Sequence, residues 1–167
     1  LKMRLDQVCV KTGVLCSRCQ SIVDNGEVSE LDVNIMRELL EVENEIKELR
    51  DSSYYGSVVV GNLLILIVGS GQKMDMQKWI RVAKRLQSKF DYKIRIVEKS
   101  DNIKATASQL LSPARLVGVN IVWFPDGSNE YVIRLGKQDL RILPIDLKNL
   151  EEVLSKIHKV QVRVKVE

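Results

Sequence analysis

Aromatic side chains are scarce in this chain. Two Trp, two Phe and four Tyr make up 5% of its 167 residues, so its core must be largely aliphatic. No apolar run approaches the roughly 18–20 residues that a bilayer-spanning helix needs. The longest, at 63–68, has the length of a strand. The opening residues Leu1-Lys2-Met3-Arg4-Leu5-Asp6 lack the apolar stretch of a secretory leader, and a cytoplasmic setting with no membrane partner is expected. Catalytic motifs are also missing. Gly69-Ser70-Gly71 is too short for a phosphate-cradling loop and lacks the Gly-Lys-Ser/Thr ending. His158 is the single histidine, and no Gly-x-Ser-x-Gly nucleophile motif accompanies it. Carboxylates gather at Glu38, Glu41, Glu43, Glu45 and Glu48, where the solvated or salt-bridged face of one helix accounts for them. A non-catalytic protein is expected.

What is present belongs to a globular chain. The composition is 45% hydrophobic and 29% charged. The length suits one ordinary domain or two small ones and requires no disulfide staples. Charge is unevenly placed. Residues 1–50 hold seven Lys/Arg against ten Asp/Glu, whereas residues 51–167 hold nineteen against twelve. The basic two-thirds is a candidate polyanion-binding body, although an excess of this size also occurs on ordinary solvated surfaces.

Residues 1–28 form a head with turn signals at Thr12-Gly13 and Asp24-Asn25-Gly26. A helix is expected from Ser29, with Asp32 completing a short-armed capping box. Leu31, Ile35, Leu39, Val42, Ile46 and Leu49 supply one apolar stripe, and Asp51-Ser52-Ser53 ends it. Strands at 58–60 and 63–68 flank a Gly61-Asn62 reversal. A basic helix over 74–89 is assigned an apolar side of Met76, Ile80, Ala83 and Leu86, and a strand follows at 93–98. The pattern then restarts: a helix over 103–111, strands at 116–124 and 130–135 around Pro125-Asp126-Gly127-Ser128, a helix over 147–157 and a strand at 160–166. The two halves close on similar sequences, KIRIVE at 93–98 and VRVKVE at 162–167. Two related units of about 65 residues are expected, meeting near Ser100-Asp101-Asn102.

The head carries all three cysteines. Cys16-Ser17-Arg18-Cys19 is a C-x-x-C pair, Cys9 precedes it, and Asp6 stands where a fourth ligand would complete the C-x2-C-x6-C-x2-C spacing of a tetrahedral zinc site. A carboxylate with three thiolates is chemically competent, if less usual in a structural site. A metal-free head folded on Val8, Val10, Val14, Leu15, Ile22 and Val23 and a disulfide are the alternatives. Thioredoxin-like redox chemistry is disfavoured, because the C-x-x-C does not follow a strand and open a long helix.

Several segments carry a family resemblance. Leu111-Ser112-Pro113-Ala114-Arg115-Leu116-Val117-Gly118-Val119-Asn120 resembles the opening of the second KH domain in NusA-type transcription factors, where a helix ends at a Ser-Pro-Ala step and leads into a strand. Lys84-Arg85-Leu86 together with Ile94-Arg95-Ile96-Val97-Glu98 resembles the closing helix and strand of a first KH domain. A cysteine-bearing head before two such units is similar to the archaeal NusA-like proteins, whose head has four cysteines. The resemblance covers residues 6–167. It implies an α/β (α+β) chain of two tandem bacterial-type (type II) KH-like domains, at 29–100 and 101–167, behind a small cysteine-bearing, zinc-binding segment at 1–28. It also implies non-catalytic RNA binding in transcription elongation or termination, with rRNA or a nascent transcript as partner. The chain departs from the family in having no two glycines three residues apart. The Gly-x-x-Gly loop with which KH domains hold RNA is replaced by Gln77-Lys78-Trp79-Ile80 and by residues around Arg141-Ile142-Leu143-Pro144.

Side chains are expected to compensate. Lys78, Arg81 and Arg85 lie at i, i+3 and i+7, with Lys84 and Lys89 nearby, a spacing that tracks a phosphate backbone or forms a solvated face. Arg95 and Arg115 are weaker RNA-contact candidates. Lys93, Arg163 and Lys165 read first as residues that keep sheet surfaces soluble. Trp79 and Trp123 are expected as core anchors, with base stacking as the alternative. Two further readings stay open: a ribosome-associated or other ribonucleoprotein component holding structured RNA, and a protein-interaction module docking on RNA polymerase or a ribosomal protein.

Overall fold

The structure is a computed structural model that describes all 167 residues. It is an α+β chain with a three-stranded sheet in each half and a cysteine cluster at its N-terminus. The chain divides into two compact units, Leu1–Ser57 with Asn62–Glu98, and Lys99–Glu167 with Val58–Gly61. No helix is long and apolar enough to cross a membrane.

The first unit begins with two short helices, α1 (Gln7–Thr12) and α2 (Ser17–Asp24), followed by α3 (Glu30–Glu45). The capping box that starts α3 is present. Ser29 Oγ accepts from the Asp32 N–H at 3.0 Å, and Asp32 Oδ2 accepts from the Ser29 N–H at 3.2 Å. The other carboxylate oxygen, Oδ1, accepts from the Tyr54 hydroxyl at 2.7 Å and the Ser57 hydroxyl at 2.6 Å. Asp32 thus fastens the helix N-terminus to β1 (Ser53–Val60). Burial, reinforced by the Asp32 charge, pushes the Tyr54 phenol well above its ordinary value.

Helix α3 stops at Glu45, short of the expected Asp51. Ile46 and Leu49, both buried, drop into the core through a 3₁₀ turn at Lys47–Asp51. Strand β1 starts at Ser53, five residues before the expected position. Its first residues are held by the N-terminus, with the Lys2 N–H donating to Ser52 O at 2.8 Å and the Tyr54 N–H donating to Lys2 O at 2.9 Å. The sheet order is β1-β2-β3, with β2 (Leu63–Gly69) parallel to β3 (Lys93–Glu98) in the register Leu64↔Ile94 and Leu66↔Ile96. Leu63, Leu64, Ile65 and Leu66 are all buried, so both faces of β2 are covered.

Helix α4 (Met76–Gln87) spans the β2–β3 crossover. Its buried side is Trp79, Val82 and Leu86; of the expected stripe only Leu86 is buried, while Met76 and Ile80 are 67% and 42% exposed. The Trp79 ring supplies more area to bury than Met76, Ile80 or Ala83, and that area sets the rotation of the helix. Gln77-Lys78-Trp79-Ile80 therefore lies within this helix rather than in a loop. The connection that does turn is 70–75, closed by Asp75 accepting from the Lys78 N–H at 2.9 Å.

The second unit repeats the order. Helix α5 (Ile103–Leu111) leads through a cis Ser112–Pro113 bond into β4 (Leu116–Trp123) and β5 (Asn129–Leu135). A 3₁₀ helix at Lys137–Ile142, α6 (Leu147–His158) and β6 (Val162–Val166) follow. Here the order is β4-β5-β6, with β4 antiparallel and β6 parallel to β5. Ile133 and Leu135 of β5 face the core with Leu110, Leu111, Leu150, Val153 and Leu154 buried in the same unit.

Candidate metal centre and basic face

Asp6, Cys9, Cys16 and Cys19 bring one carboxylate oxygen and three sulfurs within 4.8 Å of one another. The local fold explains the convergence. Asp6 is the N-cap of α1 and Cys9 its third residue; Cys16 is the N-cap of α2 and Cys19 its third residue. Two helix N-termini with the same x-x spacing thus present their donors to a single point. Gly13, in the left-handed region at φ 78°, turns the chain between them. The backbone crosses over in the same twofold manner, with the Asp6 N–H donating to Cys19 Sγ and the Cys16 N–H to Cys9 Sγ, each at 3.4 Å. The amide that a capping box would satisfy within its own helix is instead satisfied by a thiol of the other helix.

Cys9 and Cys19 are buried, while Cys16 and Asp6 face solvent. No disulfide joins them. Hydrogen bonding from the Cys19 backbone, reinforced by the neighbouring thiols, pulls the Cys16 thiol below its ordinary value, whereas burial pushes the Cys19 thiol up to about 11. Donors about 2.0–2.3 Å from a tetrahedral ion stand roughly 3.3–3.8 Å apart, within the 4.8 Å that bounds these four atoms, and three sulfurs with one oxygen form a donor set that zinc accepts. The four residues can hold a metal ion. The head is anchored by Arg37 of α3, whose Nε donates to Val10 O at 3.1 Å.

The basic residues of α4 divide into two groups. Lys78 Nζ is occupied, donating to Lys73 O at 2.7 Å beside Glu48 at 3.7 Å and Asp75 at 3.8 Å. Arg85 pairs with Glu45 at 2.7 Å. Arg81 and Lys84 are exposed and carry no ion-pair partner, as does Lys89 just beyond the helix. Arg95 on β3 is half-buried, and desolvation lowers its pKa from the ordinary value. Arg115 belongs to the second unit; it is exposed, and its backbone N–H donates to Asp139 Oδ2 at 3.3 Å.

Neither crossover offers a bare backbone cradle. In the first, Gly71 is consumed by packing, because a Cβ there would stand 2.6 Å from Asp51 Cβ. Trp79 is a core anchor, as expected, at 8% exposure, and its Nε1 donates to Ser70 Oγ at 2.7 Å. Ser70 in turn bonds to Glu98. In the second, Leu140, Leu143, Pro144, Ile145, Asp146 and Leu147 line an open depression of about 320 Å³.

Trp123 is not in the core. It is 68% exposed, with Phe124, Val117 and Ile121 also exposed. The β5 partners pass from buried Ile133 through half-buried Tyr131 to Asn129, which faces Trp123, so the ring lies beyond the covered part of the sheet. Arg18 was not anticipated either, although it stood in view inside the C-x-x-C. Its Nη2 pairs with Asp6 Oδ1 at 2.8 Å.

No protein-family model and no curated protein matches the chain. Among solved structures, the crystal structure of APE1850 is similar at 20% identity and a TM-score of 0.55, covering 79% of this chain and 96% of that one. At that identity the likeness establishes a shared fold alone.

Proposed function

We propose that the chain is a non-catalytic RNA-binding protein of two KH-like units behind a zinc-holding head, resembling the NusA-type transcription factors. The observation that carries the reading is a repeated helix–strand–strand–helix–strand unit whose first copy displays Arg81, Lys84 and Lys89 with no acidic partner. Two three-stranded sheets, each with a parallel pair between its second and third strands, support the KH-like assignment. With no glycine cradle in either crossover, the reading assigns the phosphate contacts to side chains and favours RNA that is already structured, as in a ribonucleoprotein. Zinc would fold the head by tying two short helices together.

Fluorescence anisotropy with an unstructured oligonucleotide and an rRNA-like hairpin across a salt series tests this. Affinity that falls steeply with salt is the expected outcome, with the hairpin preferred. A second reading rests on β4, an edge strand with exposed Val117, Ile121 and Trp123. Weak, salt-independent binding to both probes would shift the assignment to a protein-docking module on RNA polymerase or a ribosomal protein.

A further inference from the structure

Helix positions place all four donors, but the Asp6 carboxylate alone is also held by an ion pair. As the N-cap of α1 its carboxylate is free to accept from an amide of its own helix, yet it makes no such cap bond. It turns the other way. Oδ2 lies 3.7 Å from Cys16 Sγ, on the side of the thiols, and Oδ1 takes the Arg18 guanidinium at 2.8 Å. Arg18 sits between the two cysteines of the C-x-x-C, on the first turn of α2, so its backbone moves with them.

Resting on the reading of the head as a zinc site, we propose that Asp6 ligates the metal through Oδ2 alone, and that Arg18 is the residue that positions it by holding Oδ1. A carboxylate is a harder and weaker zinc donor than a thiolate, and an exposed one otherwise swings to water or closes on the ion with both oxygens. The guanidinium removes both options. It also offsets charge: three thiolates and a carboxylate around a doubly charged ion leave an anionic site, and Arg18 neutralises part of it. Outer partners of this kind orient ligands in metal sites generally.

The test uses the full chain loaded with cobalt(II) or zinc(II), with affinity measured by chelator competition. The cobalt thiolate charge-transfer intensity counts sulfurs and reports at the same time that the head has assembled. Arg18→Ala should weaken metal binding by about 10–100-fold with the three-thiolate intensity unchanged, and Arg18→Lys should recover part of the loss. Asp6→Cys should raise the intensity to that of four thiolates. Unchanged or tighter binding in Arg18→Ala would overturn the positioning role, since Arg18 would then be idle or a competitor for Asp6. A three-thiolate spectrum in Asp6→Cys would remove position 6 from the ligand set. A wild-type chain that takes up neither metal would overturn the zinc reading itself.

Discussion

The two units share a strand order but differ in how their sheets are covered. The central strand of the first, β2, reads Leu-Leu-Ile-Leu-Ile-Val and is buried on both faces; the central strand of the second, β5, reads Asn-Glu-Tyr-Val-Ile-Arg-Leu and keeps a polar face. On that face Arg134 holds Glu167 at 2.7 Å and Arg163 holds Glu130 at 3.0 Å. Exposed Arg81 and Lys84 stand on helix α4 of the first unit, and exposed Arg163 and Lys165 stand on strand β6 of the second. The apolar surface of the second unit runs out to solvent along β4. A continuous apolar run therefore reports two fully covered faces, whereas in β5 the ion-paired Glu130 and Arg134 flank a single buried side chain, Val132, on one face.

Core truncation should separate the units most sharply. Leu66→Ala, at a fully buried site, is expected to cost about 2–5 kcal/mol, while Trp123→Ala stays within about 0.5 kcal/mol of wild type despite removing a larger ring. Denaturant midpoints measure both. Next comes Asp32→Ala, which strips the cap of α3 and leaves the Tyr54 and Ser57 hydroxyls without their acceptor; a loss of about 2–3 kcal/mol is expected in the same assay. Gly71→Ala should cost about 1–3 kcal/mol, because the new methyl meets Asp51. A comparable change at Gly127, where no neighbour lies within 4 Å, meets no such obstacle and tests only its positive φ.

The smallest effect concerns pH and belongs to the second unit. His158 Nε2 lies 2.9 Å from the Oγ1 of buried Thr106, and burial holds its imidazole below the ordinary value of 6.5, with Asp101 partly opposing. The unfolded chain then takes up a proton first as pH falls. The His158 contribution is complete above about pH 6.5 and is lost progressively below it, toward the depressed folded value. Thermal melts between pH 8 and 5 should show that slope, and His158→Gln should flatten it.

Much of this was legible in the residues. The Ser29–Asp32 spacing announced the capping box, KIRIVE is β3 residue for residue, and the helix over 103–111 matches α5. The Asp6–Cys19 spacing announced the cluster, because ligand spacing is local. The rest depends on tertiary cover. Periodicity assigns α4 a stripe through Met76, Ile80, Ala83 and Leu86, and the large Trp79 ring turns the helix to another. Nothing in a strand pattern states where helical cover ends, so Trp123 read as core. In Ser53-Tyr54-Tyr55-Gly56-Ser57 the glycine and serines dilute the strand preference of the two tyrosines, and the segment becomes β1 through its bonds to Lys2 and the burial of Tyr54. Ion pairing is equally invisible: five bases near α4 looked equivalent until Glu45, Glu48 and Asp75 claimed two of them.

That distinction supplies the decisive measurement, RNA affinity of Arg81→Glu/Lys84→Glu against wild type over a salt series, with circular dichroism to confirm the fold. Binding at least about tenfold weaker is expected, with a salt slope shallower by about two, one for each lost phosphate contact. Unchanged affinity and slope in a folded variant would contradict RNA contact by Arg81 and Lys84.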